Sequence, residues 1–342
     1  MPFVGVNYPV QIFGTEEFGM PLRSSRREFV ANAGLLAGVA ALGTRALAAT
    51  SDLPFRVAVI NDEITQDFGR ACEIAARDFG MQWIELRGMW NKNVVNLDAK
   101  EVAETKRILD KYKLRVTDIA SPLFKTDWPG APKSKFSPKT PQFGADFTFD
   151  QQGDVLERSI RLAKKLGTDR VRCFDFWRLE DQAPFRSAMN ARLLEAANTA
   201  GKQGITLVLE NEGACNTATG AESAKVLAAV QSPHLMLNWD PSNAAGAGEK
   251  PYPDGYALLP KDRIGHCHCK DAVKSSDGSK YDWAAMGQGV VDWVGQFRAL
   301  KNDGYRFAVS LETHWRGAGS AEASTRKSWE GMKSELQKAG AL

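Results

Sequence analysis

Four short apolar runs of this sequence each end on a side chain that can bind a metal ion or move a proton. They are Leu207-Val-Leu-Glu210, Leu237-Asn-Trp-Asp240, Ile264-Gly-His-Cys-His268 and Val309-Ser-Leu-Glu312. One carboxylate at the end of such a run is ordinarily a solvated loop or capping group. Glu, Asp, His and Glu closing four successive runs is a different signal, because three carboxylates and one imidazole make an oxygen-rich donor set. Such a set suits a hard or borderline divalent ion, with Mn²⁺ the first expectation and Mg²⁺, Co²⁺ or Zn²⁺ compatible with it.

The third run looks at first like a compact zinc motif, His266-Cys267-His268-Cys269. In a β-strand, however, successive side chains point to opposite faces, so four consecutive residues cannot converge on one tetrahedral ion. His266, His268 and Lys270 share one face; Cys267 and Cys269 share the other and read as packing residues. His268 is the expected ligand. His266, one layer below it, reads either as a core histidine bonded to a carboxylate or as a substrate contact. Lys270 reads as a donor to a substrate oxygen or a partner of Asp271.

The elements that must position these residues alternate without a break. Strands are expected at about 55–60, 81–86, 114–120, 170–174, 205–210, 235–240, 263–270 and 305–312. Helices are expected between and after them, at 66–79, 98–112, 153–166, 184–203 and 220–230, near Tyr256, and at 291–301 and 321–338. Eight strand–helix units in this length predict an α/β fold of the (β/α)₈ TIM-barrel type, whose chemistry sits at the C-terminal ends of the strands. An open doubly wound sheet is the runner-up. It lacks the Gly-rich turn after the first strand, where Asn61-Asp62-Glu63 stands instead. The stretch 121–150 is expected as a long loop, and a loop of that length is usually a lid or binding loop.

With those motifs in place, the sequence resembles the xylose isomerase-like TIM barrels, the sugar phosphate isomerase/epimerase superfamily. The resemblance rests on Leu207-Val-Leu-Glu210-Asn-Glu212, Leu237-Asn-Trp-Asp240-Pro-Ser-Asn243, Gly265-His-Cys-His268-Cys-Lys-Asp271 and Ser310-Leu-Glu312, in that order. It implies metal ligands at Glu210, Asp240, His268 and Glu312. It also implies that Glu210 and Glu312 are the acid–base pair, exchanging a proton beside a carbonyl from opposite faces of a planar enediolate. Two positions depart from the epimerase pattern. Asn243 stands where a histidine is common, and Asp271 with Lys274 lies where an arginine is common.

Proton removal beside a carbonyl creates an oxyanion, which a divalent cation stabilises directly, and a nearby carboxylate can serve as base. The functional expectation is therefore a metal-dependent sugar isomerase or epimerase. The same enolisation in a keto-glycoside would make it a lyase or hydrolase. A non-catalytic carbohydrate-binding barrel and an endonuclease related to the apurinic-site repair enzymes are weaker readings. Glu85, Asn243, His266, Lys270 and Trp177 are the candidate substrate-binding residues. Glu85 has the alternative of pairing with Arg87. Trp90, Trp128, Trp239 and Trp315 also fall at or beyond strand ends, where an aromatic ring can stack on a sugar.

The chain has 342 residues, 43% of them apolar and 25% charged, with nine tryptophans. That is ample for one large packed domain. A formal charge of +3 gives no electrostatic reason to expect a nucleic-acid partner. Residues 1–50 read as an N-terminal extension and export signal, and residues 51–342 as the barrel. Ser25-Arg26-Arg27-Glu28-Phe29-Val30 leads into a run of Ala, Gly, Leu and Val that closes at Ala46-Leu47-Ala48. That layout resembles a twin-arginine signal and implies the twin-arginine export machinery as a partner and the periplasm as destination. Met20 is the more natural initiator for it. The run is short and contains Arg45, which argues against a stable membrane anchor. Five cysteines without framework spacing predict free thiols. A homo-oligomer is compatible with the sequence.

Overall fold

The computed structural model describes residues 53–139, 145–275, 278 and 280–342. The twin-arginine segment lies outside the described residues.

Eight parallel strands form the sheet, in the order of the chain. They are β1 Arg56–Val59, β2 Trp83–Leu86, β3 Arg115–Leu123, β4 Arg170–Cys173, β5 Thr206–Glu210, β6 Leu235–Trp239, β7 Ile264–Cys269 and β8 Ala308–Leu311. β8 pairs with β1, and β1 meets β2 through a single parallel bridge, Ile60 to Glu85, so the sheet is a nearly closed barrel. The TIM-barrel expectation is borne out. All eight strands fall within or beside their expected ranges; β3 runs further, to Leu123, with its register to β4 shifting between Ile119 and Leu123.

The helices on the outside are α1 Phe68–Glu73 (extended by a π turn to Asp78), α2 Ala99–Tyr112, α3 Gln152–Leu166, α4 Arg186–Gly201, α5 Gly220–Ala229, α6 Pro241–Gly246, α7 Trp293–Asn302 and α8 Ala321–Lys338. Their ends follow local chemistry. Asp98 closes a capping box on α2, accepting from Lys100 and Glu101 while Glu101 reaches back to the Asp98 backbone. Gly167 ends α3 in the left-handed region, with φ at 77°, where a side chain would be strained.

The core lies between the strands and the helices, and the alternation of β7 shows how. Cys267 and Cys269 are buried in that outer apolar layer, as expected, and all five cysteines are free thiols. His266 and His268 face the other way, into the barrel, opposite Asn238 and Ser310 on the flanking strands. Among the described residues, no helix is long and apolar enough to cross a membrane.

The segment after β3 packs back over the mouth of the barrel. Trp128 meets Phe176 edge-on at 4.7 Å and Phe149 at 5.3 Å. Ser134 donates to the carbonyl of Arg178. Beneath it lies a cavity of about 470 Å³, whose walls include Arg87, Lys125, Arg172 and Trp177.

Candidate metal centre

The four strand-end residues converge. One ligand atom each from Glu210, Asp240, His268 and Glu312 lies within 4.8 Å of the others, and all four side chains are buried. Glu210 is the last residue of β5, and Glu312 directly follows β8. Asp240 directly follows β6 and also caps α6, where its Oδ1 accepts from the Asn243 amide at 2.9 Å. That capping bond turns Oδ2 toward the centre.

His268 presents Nδ1 to this group: 3.2 Å from Glu210 Oε1, 3.4 Å from Glu312 Oε2 and 3.9 Å from Asp240 Oδ2. Its other nitrogen, Nε2, lies 2.9 Å from Glu85 Oε1. Glu85 is fully buried behind the imidazole, between His268 and His266. The structure thus seats it under a ligand and leaves no face open to the barrel mouth. Its alternative partner, Arg87, turns elsewhere, to Asp62 at 3.0 Å, Glu63 at 2.6 Å and Glu312 at 2.8 Å.

The remaining candidates divide. Lys270 enters the centre, with Nζ 2.6 Å from Asp240 Oδ2 and 2.5 Å from Glu312 Oε2. Asp271 instead accepts backbone N–H groups from Gly287 and Gly289. Asn243 lies beside the group and donates to Glu210 Oε1 at 3.4 Å and to the Asn211 carbonyl at 2.9 Å. His266 is a core histidine bonded to Asn238 at 3.1 Å. Trp177 stands apart from the four, on the cavity wall with Lys125 over its ring. Of the other tryptophans, Trp239 points out of the barrel and donates to Gln296, while Trp128 and Trp90 pack on phenylalanines.

Sequence reading missed the inward-facing Arg172. Arg172 on β4 donates to Glu210 Oε2 at 3.1 Å and to the carbonyls of Ala120 and Ser121. His314 lies 3.2 Å from Glu312 Oε1. The available signal was alternation: Arg170-Val-Arg172 puts charge at every second position of a strand, and Glu85-Leu-Arg87 does the same.

Burial alone would raise all these carboxyls, yet three are held down. His268 and Arg172 outweigh burial at Glu210, and Lys270, His314 and His268 do so at Glu312. At Glu85, His268 and His266 win against burial and hold the group at about 2. Asp240 goes the other way, pushed up to about 6 by burial and by the neighbouring Glu312 and Glu210 against the pull of Lys270. Burial also lowers His268, but Glu85, Glu210 and Glu312 reverse that and raise it well above the ordinary imidazole value. Three buried carboxylates gathered around one imidazole need compensating positive charge, and a divalent cation fits this donor set.

A family model described as xylose isomerase-like TIM barrel matches residues 74–335. No curated protein sequence matches the chain. Among solved structures, the IolI protein with a bound zinc atom superposes with a TM-score of 0.64 at 13% identity, covering 83% of this chain and 98% of that one. A probable 3-DHS dehydratase involved in petrobactin synthesis, from Bacillus anthracis, gives 0.61 at 17% identity, covering 81% and 97%. A D-allulose 3-epimerase from a Methylomonas species, in complex with D-allulose, gives 0.58 at 19% identity, covering 83% and 97%. At such identities the likeness is one of fold.

Proposed function

The chain belongs to the xylose isomerase-like TIM barrel family, and from that premise we propose that it is a metal-dependent isomerase or epimerase of a sugar or sugar derivative. The observation that carries the reading is the convergence of Glu210, Asp240, His268 and Glu312 at the barrel mouth, each from a different strand end. These four residues would hold the ion. A divalent cation bound there supplies positive charge against the oxyanion that forms when a proton leaves the carbon beside a carbonyl.

The chain's own residues supply the rest. Glu210 and Glu312 are both held ionised at neutral pH, the state in which a carboxylate accepts a proton. They come from β5 and β8, with β6 and β7 between them in the sheet, and so reach the centre from separate sides. One removes the proton and the other returns it. Lys270 and Arg87 donate to the Glu312 oxygens, while Arg172 and Asn243 donate to those of Glu210, which fixes both carboxylates in orientation.

A second reading has its own observation. The cavity beside Arg172 and Trp177 has room for a group attached to the sugar, and enolisation of a keto-glycoside would expel such a group from the neighbouring carbon. Named relatives in fold include both an epimerase and a probable dehydratase. Export to the periplasm is part of the proposal. It is supported by the Arg26-Arg27 segment and favours an unphosphorylated substrate.

The test is metal analysis of the purified protein followed by incubation with sugars and keto-glycosides in D₂O. Bound divalent metal and deuterium in the product are expected. A rearranged sugar selects the isomerase, and a released aglycone selects the lyase. Turnover without solvent exchange rejects the proton-transfer mechanism. The N-terminus of the exported protein, read by mass spectrometry, tests the location.

A further inference from the structure

Beneath the proposed metal ligands, three fully buried side chains form a second polar layer: Glu85 on β2, Asn238 on β6 and His266 on β7. All three bear on His268. Glu85 Oε1 lies 2.9 Å from His268 Nε2, and Glu85 Oε2 lies 3.5 Å from His266 Nε2. Asn238 bridges the same two rings, 3.1 Å from His268 Nε2 through one end of its amide and 3.1 Å from His266 Nδ1 through the other. Asp118 and Ser310, also fully buried, lie beside Glu85.

One arrangement of protons gives Glu85, Asn238, His266 and His268 each a partner. An ionised carboxylate can only accept, so the nitrogen 2.9 Å from Glu85 must carry a hydrogen. His268 is then protonated at Nε2. The end of Asn238 nearest that nitrogen must be its oxygen, since an amide N–H would oppose the ring N–H. This exchanges the two ends of the amide relative to Nδ2 facing His268. The amide N–H₂ now donates to His266 Nδ1, and His266 carries its proton on Nε2, pointing at Glu85 Oε2. In the opposite arrangement Glu85 Oε2 and His266 Nε2 are both left without a hydrogen-bond partner. That is costly in a dry interior.

We propose that Glu85 is a positioning residue: it holds His268 by Nε2–H, so that Nδ1 alone offers a lone pair toward Glu210, Asp240 and Glu312. His266 and Asn238 hold Glu85 in turn. The inference rests on the metal reading of the four ligands. Its consequence is chemical as well as geometric, because a carboxylate behind a ligating imidazole fixes the tautomer and raises the basicity of the ligand.

The test uses full-length protein with isotopically labelled histidine nitrogens, loaded with Zn²⁺ and with an NMR-active isotope of cadmium. The chain has only four histidines. Metal–nitrogen coupling at His268 Nδ1, with the proton kept on Nε2, is expected; coupling through Nε2 overturns the proposal. Glu85→Gln can accept from only one of the two ring N–H groups. Its metal affinity should fall about 10- to 100-fold with the fold kept, as judged by circular dichroism. Unchanged affinity removes Glu85 from the role and leaves the metal reading standing. Wild-type protein that binds neither ion overturns both. If Glu85→Gln does not fold, the wild-type coupling pattern decides alone.

Discussion

The Lys270 ammonium lies 2.6 Å from Asp240 Oδ2, so the chain itself places a cation against one of its proposed metal ligands. The same nitrogen is 2.5 Å from Glu312 Oε2. Both carboxylates are buried, and removing one partner of such a group leaves the others uncompensated, at a cost of about 3–5 kcal/mol. Lys270→Met is therefore expected to lower the melting temperature of metal-free protein. A bound divalent ion restores positive charge, so the variant should gain more melting temperature from added metal than wild type does. Equal gains in the two proteins would show that lysine and metal do not answer the same charge.

Glu210→Gln keeps the shape of the side chain and its bond to Asn243 but removes the proton acceptor. Solvent deuterium incorporation into substrate should fall about 10²- to 10⁴-fold, the range for loss of a general acid or base. Substrate binding, measured by calorimetry, should persist. Retained exchange would transfer the role to Glu312 alone.

Two of the shifted groups in this site, His266 and Asp240, respond to acid with opposite signs. Burial holds His266 down to about 4, against an ordinary value of 6.5. Between those values the unfolded chain binds a proton that the folded chain does not, so stability falls as pH drops from about 6.5 to about 4. Asp240, pushed up to about 6 from 3.8, acts with the opposite sign, and its share of stability is lost as pH rises across that interval. The difference between wild type and His266→Asn isolates the first effect. It should shrink as pH is lowered from 6.5 to 4 in urea titrations, and a flat difference would refute the assignment.

The loop that follows the Asp271–Lys274 and Tyr281–Ala284 hairpin leans on α8 at a glycine. A Cβ on Gly331 would collide with the Met286 carbonyl, a backbone atom that cannot turn aside. Gly331→Ala should destabilise the protein by about 1–3 kcal/mol, as overpacking does elsewhere. A neutral result in thermal unfolding would mean that α8 can shift outward without loss.

Much of this was legible before any coordinates. The order of the elements followed from apolar runs with period two or near four, and Gly167 and Asp98 marked helix ends because capping is local. His268 separated from Cys267 and Cys269 by strand alternation alone. The partners of those residues were not legible. Glu85 read as a substrate contact or a partner of Arg87, yet it lies under His268, 183 residues away in the chain. Arg172 carried an inward charge in plain view, but its carboxylate partner is on the neighbouring strand and depends on the β4–β5 register.

The sequence by itself determined which side chains would stand at the strand ends, because the period of a strand and the stop of an apolar run are properties of adjacent residues. The tertiary structure decided what faces them. Closing the barrel brought Lys270 between Asp240 and Glu312, set Glu85 behind His268, and turned Asp271 away to backbone amides. Those choices depend on distances of a few ångströms between strands far apart in the chain, and the burial that makes them count exists only once the barrel has closed.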